Sequence, residues 1–182
     1  MKKRGLIVID LQNEYLPTGK LPLTNIEAAA ANAARVIADF RLHGHPVFHI
    51  RHEFASEDAP IFTPGTEGVE IQPSVYPTGN EPVIVKNYIN AFRDTDLKSQ
   101  LDAQGVEEVI IVGAMSHMCV DACVRAAADM GYPVTILHDA CATLDLTFNG
   151  VTVPAAHVHA AMMGAFEFGY GKVRATEDYL RD

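Results

Sequence analysis

The sequence predicts an α/β protein: a three-layer α/β/α, Rossmann-like architecture around a doubly wound, mostly parallel sheet of five to six strands. Three observations carry this. Short β-branched apolar runs alternate with Ala-rich or amphipathic stretches along the whole chain. Such runs suit strands buried on both faces, as in a parallel sheet. Regular alternation of strand and helix implies right-handed crossovers that cover both faces of one sheet. A length of 182 residues, set against roughly 150 residues per domain, leads us to expect a single domain over residues 1–182.

The elements follow in order. Residues 5–9 (Gly-Leu-Ile-Val-Ile) form the first strand. Residues 25–43 are Ala-rich, with Asn25 as a leading cap and Gly44 as the stop, and read as a helix. Residues 46–51 and 82–86 are the second and third strands. Residues 94–104 are helical, capped by Asp94 or Thr95 and stopped at Gly105. Residues 108–113 are the most strongly strand-like run, and 119–130 form a helix ending at Gly131. Residues 133–138 are a strand, 154–168 a helix, and 172–174 a last edge strand. The connection between the second and third strands holds Pro60, Pro64, Gly65, Pro73, Pro77 and Gly79. A long connection of this kind is a functional loop or lid, or else a surface excursion or subunit contact.

Composition narrows the function. Lys and Arg number 14 against 23 Asp and Glu, a net charge of −9. Nucleic acid and anionic membranes call for a basic surface, so neither is expected as a partner. No apolar run approaches the ~20 residues of a membrane span. Lys2-Lys3-Arg4 imitates the start of a signal peptide, but the apolar stretch behind it ends at Asp10, shorter than such a signal needs. The expected compartment is the cytoplasm. Three cysteines cannot all pair within the chain, so no disulfide framework is expected.

Sheets of this kind bind ligands at the carboxyl ends of their strands. Asp10 follows the first strand, Lys86 ends the third, and Cys119 opens the helix six residues after Gly113. The unpaired N–H groups and positive dipole of a helix start favour a thiolate and lower its pKa. Together the three suggest a thiolate attacking a carbonyl carbon, a carboxylate moving the proton and an ammonium steadying the charges. Ser116 lacks the glycines of a nucleophile elbow. Asp10 as a phosphoryl acceptor lacks a second acid nearby, since residue 12 is Gln, and no Gly-x-Gly-x-x-Gly follows the first strand.

Asp10 in Ile-Asp-Leu-Gln, Lys86 in Val-Lys-Asn, and the loop Gly-Ala-Met-Ser-His-Met-Cys-Val ending at Val120 resemble the isochorismatase-like cysteine hydrolases, which include nicotinamidases and N-carbamoyl amidases. The segments Asn90-Ala91-Phe92 with Thr95 and Leu97, and residues 138–143, extend the likeness to nearly the whole chain. The resemblance implies Cys119 as nucleophile forming an acyl-enzyme, Asp10 as general base and acid, and Lys86 as third member of a triad. It also implies a cis peptide between Ala114 and Met115, and an oxyanion hole from the backbone N–H groups of Met115 and Cys119. A homo-oligomer, dimer or tetramer, is expected with it.

Departures from the family sharpen the expectation. Nicotinamidases carry an Asp-x-His metal site after the second strand, whereas this chain reads Ile50-Arg51-His52-Glu53. No such Asp is present and no His follows before His117; a metal site needs at least three well-placed ligands, so neither a metal nor any other cofactor is expected. Isochorismatases that cleave a vinyl ether are expected to lack the nucleophilic Cys. The expected activity is therefore a metal-free hydrolysis of a small amide, lactam, imide or carbamoyl compound. An ether hydrolase and a catalytically silent binding or assembly protein on the same fold stand as alternatives. Candidates for lining the substrate pocket are Tyr15, Leu16, His52, Tyr88, Phe92, His117, Met118 and Phe148. Cys123 and Cys141 read as structural, and His157 and His159 as packing or interface residues. Residues 144–153 read as a lid or a subunit contact.

Overall fold

The computed structural model describes residues 2–181. Six parallel strands form one sheet in the order β3-β2-β1-β4-β5-β8. They are β1 (Arg4–Ile9), β2 (Val47–His52), β3 (Val83–Lys86), β4 (Glu108–Ala114), β5 (Val134–Ala142) and β8 (Lys172–Arg174). The chain starts in the middle and winds outward both ways, so the switch point lies between β1 and β4, as the doubly wound reading predicts.

The apolar strands divide their side chains between two cores. From β1, Leu6 and Val8 join one layer while Ile7 and Ile9 join the other. The first layer packs under α1 (Ile26–Leu42) and α5 (Thr176–Leu180). The second packs under α2 (Leu97–Ala103), α3 (Cys119–Asp129) and α4 (Ala155–Gly169). A pleat with period two sends successive residues to opposite faces, so a strand covered on both sides must be apolar throughout. Among the described residues no helix is long and apolar enough to cross a membrane.

Several local expectations need correction. Asn25 precedes α1 in a left-handed conformation (φ 61°) with no side-chain cap bond. Helix α2 begins at Leu97, because Asp94 is left-handed (φ 54°) and Asp96 takes the cap position. Strand β5 runs on to Ala142, past a register shift against β4 between Ile111 and Gly113. Residues 144–153 hold an antiparallel hairpin, β6 (Leu146–Phe148) and β7 (Val151–Val153). The signal was present: Asn149 and Gly150 both take positive φ (48° and 78°), as a two-residue Asn-Gly hairpin turn demands.

The 53–82 connection is not a loose excursion. Phe62, Val69, Ile71 and Val75 are buried in the α1-side core, and Gln72 N–H donates to the Leu11 carbonyl (2.9 Å). Its apolar side chains together with a short antiparallel bridge between Gln12 and Ile71 hold it to the segment that follows β1.

Candidate active site

Three strand ends and one helix start converge here. Asp10 leaves β1 with a left-handed backbone (φ 51°), a turn for which Asp is better suited than most residues. Lys86 ends β3 directly beside His52, its register partner on β2. Gly113 (φ 128°) lies so close to β1 that an added Cβ would come within 2.1 Å of the Ile9 carbonyl oxygen, so only glycine fits. The peptide between Ala114 and Met115 is cis. The chain then turns into α3, whose first residue is Cys119.

The three side chains meet in a nearly dry centre: Asp10 is 0%, Lys86 1% and Cys119 4% exposed. Lys86 Nζ donates hydrogen bonds to His52 Nδ1 (2.8 Å), the Tyr88 carbonyl (3.1 Å) and Cys119 Sγ (3.2 Å). An ammonium has three N–H donors, so these acceptors use them all. Asp10 Oδ2 lies 2.9 Å from Nζ as an ion pair. Neither Asp10 oxygen accepts a hydrogen bond of good geometry from any protein group among the described residues. The acid is thus balanced in charge by Lys86 and keeps lone pairs that no backbone N–H takes up. Among the described residues the backbone N–H groups of Met115 and Cys119 find no acceptor, whereas Met118 and Val120 N–H both donate to the Met115 carbonyl (3.0 and 3.2 Å).

Electrostatics follow from burial and these contacts. Burial tends to lower Lys86, but Asp10 and Cys119 outweigh it and hold the ammonium above the ordinary lysine value. Burial and the Lys86 charge press His52 down to about 4, so at neutral pH its Nδ1 is an acceptor. The Cys119 thiol is pushed above its ordinary range, first by burial and then by Asp10, against the pull of Lys86. This corrects the expectation of a thiolate from the helix start. Near neutral pH the resting group is a thiol, because desolvation and a carboxylate neighbour outweigh one dipole and one ammonium.

Asp10, His52 and Cys119 present ligand atoms within 4.8 Å of one another, a set that could hold a metal ion. Lys86 Nζ stands within 3.2 Å of an atom of each. An ammonium and a divalent cation cannot share that point, so the set does not fit a metal while Lys86 is in place.

The remaining pocket candidates separate. Tyr15 is buried near Asp10 and Cys119, whose charges add to burial in raising its phenol. Leu16 packs against the α1-side layer. Phe92 and Met118 are half-buried against the layer that contains Cys119. His117 Nδ1 lies 2.7 Å from Thr143 Oγ1. Tyr88 is partly exposed, with its carbonyl on Lys86. Phe148 is no pocket wall in this chain: it is 85% exposed on the hairpin, because a two-stranded ribbon has no core of its own to bury it.

Sequence reasoning missed the supports. Phe62 sets its ring edge-on to Tyr15 (5.1 Å) and His52 (5.3 Å). Gln12 donates to the His52 and Val69 carbonyls (2.8 Å each) and accepts from His52 N–H (2.8 Å), tying β2 to the long connection. Buried Glu14 accepts from Lys20 N–H (2.9 Å) and Phe62 N–H (2.8 Å). Gly68 sits against it, where a Cβ would fall 2.6 Å from Oε2. His159, expected to pack, lies with Nδ1 2.8 Å from Ser116 Oγ in the loop before Cys119. A polar residue two or four places beyond Asp10 was the available signal, but its partners lie about 40 to 60 residues away in the chain.

Comparison with known proteins gives the family. The Isochorismatase domain model matches residues 4–171. An uncharacterized isochorismatase family protein of Bacillus subtilis is 49% identical over 97% of this chain and 98% of its own length. Nicotinamidase 3 of Arabidopsis thaliana is 31% identical over 93% and 84%. The crystal structure of a putative isochorismatase hydrolase from Oleispira antarctica superposes with a TM-score of 0.96 at 49% identity, covering 100% of this chain and 97% of that one.

Proposed function

The chain belongs to the isochorismatase family of hydrolases, and on that premise we propose that it cleaves the C–N bond of a small amide, lactam, imide or carbamoyl compound through a thioester on Cys119. The observation that carries this is the buried meeting of Cys119 Sγ, the Lys86 ammonium and the Asp10 carboxylate, which lies 2.9 Å from Nζ. A relative named for an amidase activity supports the amide class.

As sulfur attacks the carbonyl carbon, the thiol proton passes to Asp10. Lys86, already bonded to Sγ at 3.2 Å, stabilises the negative charge as it builds. The carbonyl oxygen becomes an oxyanion and takes the free N–H groups of Met115 and Cys119. The intermediate then collapses: the C–N bond breaks, Asp10 returns its proton to the nitrogen, and an amine or ammonia leaves. Water attacks the thioester, giving a proton to Asp10, and the released thiolate recovers it. The sum is amide plus water giving acid plus amine. Asp10 is the general base and acid because it has lone pairs to spare; Lys86 has no free N–H and its charge is held, so it does not carry the proton.

The test is a screen of simple amides, lactams and ureides for amine or ammonia release, with rapid-quench mass spectrometry of the intact protein. An acyl adduct on Cys119 during turnover is expected. Turnover that survives Cys119→Ala would sink the mechanism.

A further inference from the structure

Beside the triad lies a cleft of about 420 Å³ that no step above uses. His52 and Phe54 line one wall, Ala122 of α3 another, and Asn87 to Asn90 with Arg93 complete it. Its floor is wired to the chemistry. His52 is the acceptor for Lys86 Nζ, and the Tyr88 carbonyl takes another of the Lys86 hydrogens. Ala122 stands one turn beyond Cys119 on the same helix. The cleft is thus lined by two of the three groups that hold Lys86 at the thiol.

One group in the cleft is poised and unspent. The Arg93 guanidinium lies over the Tyr88 ring, Cζ 3.7 Å from the centroid. Stacking fixes the plane of the fork while leaving its edge N–H groups free. Its nearest carboxylate is Asp94 Oδ2 at 3.8 Å, beyond hydrogen-bond reach, and both side chains are mostly solvated. Among the described residues the Arg93 side chain donates no hydrogen bond. The other cation at the site, Lys86, has used every donor. The remaining lining groups carry no formal charge: His52 is neutral, and Asn87 and Asn90 are already bonded to the Glu53 carbonyl and the Phe92 N–H. In a chain of net charge −9, a guanidinium held on a ring, with its acid neighbour Asp94 beyond hydrogen-bond reach, selects an anion of matching planar shape.

Resting on the amidase reading, we propose that Arg93 on its Tyr88 platform is a specificity determinant, and that the substrate is a small amide bearing a carboxylate at its far end, gripped in this cleft. A planar carboxylate takes the guanidinium fork by two parallel hydrogen bonds. The neutral His52 and the apolar Phe54 and Ile89 suit the short carbon spacer between carboxylate and amide.

The test pairs ω-amido acids with their isosteric diamides: malonamate, succinamate and glutaramate against malonamide, succinamide and glutaramide. Within a pair the two differ by one charge. Binding is measured by calorimetry on the Cys119→Ala protein, and turnover on the intact enzyme by ammonia release. One acid–diamide pair should favour the acid by roughly tenfold to a hundredfold in Kd, the scale of a charge-assisted bidentate contact. Arg93→Gln should bring that ratio close to one, and Arg93→Lys, which keeps charge but loses the fork and the stacking, should fall between. Arg93 is exposed, so these variants should fold. Equal binding of acid and diamide, no binding of either, or a preference that survives Arg93→Gln overturns the inference. Turnover of acids and diamides alike keeps the amidase reading and discards the Arg93 role. A carboxylate preference in binding without any ammonia release does the reverse.

Discussion

Two carboxylates lie four residues apart where the chain leaves β1, and both are buried to within 2%. They are held in opposite ways. Glu14 is saturated by backbone N–H groups of Lys20 and Phe62, with Gly68 pressed against it. Asp10 has a cation at 2.9 Å and, among the described residues, no backbone N–H on its carboxylate. Folding satisfies buried polar groups wherever it can, so an acid left with open lone pairs marks a place where something else is to supply the hydrogen. Glu14 spends its charge on structure: it pins the long connection so that Phe62 lies against Tyr15 and His52. Asp10 keeps its lone pairs for the reaction.

The sharpest test of that contrast is a pair of substitutions. Asp10→Asn should lower kcat by about 10²–10⁴-fold, the usual worth of a general base, and should also lower stability by unpairing the buried Lys86 ammonium. Glu14→Ala should cost roughly 1–3 kcal/mol for each stranded N–H, read by chemical denaturation, and reduce kcat much less. Equal loss of kcat in the two variants would break the comparison.

The next effect concerns the thiol. Burial and Asp10 hold it protonated, so iodoacetamide should label Cys119 slowly at neutral pH and faster as pH rises. Asp10→Asn removes a negative neighbour and leaves Lys86, and should therefore speed labelling while abolishing turnover. Slower labelling in that variant would mean that Asp10 activates the resting thiol directly.

A smaller effect is expected with acid. The His52 value falls from 6.5 to about 4 on folding, so the unfolded chain binds the proton first. The stability from neutral His52 is present above about 6.5 and is lost as pH falls toward about 4. Glu81 works lower. Burial raises it, but Arg41, Thr78 N–H and His49 outweigh that and bring it from 4.5 to about 2, so its contribution fades between those values. Denaturation midpoints across this range should fall in both windows, and His52→Gln should flatten the upper one.

The smallest effect belongs to the hairpin. Phe148→Ser should change the stability of the isolated chain by less than about 0.5 kcal/mol, as for an exposed site. A much larger loss, measured as a shift dependent on protein concentration, would show that another surface covers it.

Much of this was legible in the sequence. The β-branched runs and their alternation with helices specify the sheet order's class, because a strand covered on both faces has to be apolar throughout. The rule that ligands sit at strand carboxyl ends selected Asp10, Lys86 and Cys119 from eight His, three Cys and 37 charged residues, the sum of 14 and 23. The helix start at Leu97, the lack of a side-chain cap at Asn25, the Asn149–Gly150 hairpin and the buried side of the 53–82 connection were misread or missed. In each, a local cue gave way to backbone conformation or to packing with distant segments.

What the sequence determined by itself is the fold class and the three chemical groups, since both follow from periodicity and from residue type at element ends. What only the tertiary structure decided is their state: that Lys86 spends its hydrogens on His52, Tyr88 and Cys119, that Asp10 rests on the Lys86 charge, that burial raises the Cys119 thiol, and that Glu14, four residues on, pins the long connection instead. Burial, hydrogen bonding and charge proximity act through space between residues far apart in the chain, and no spacing rule encodes them.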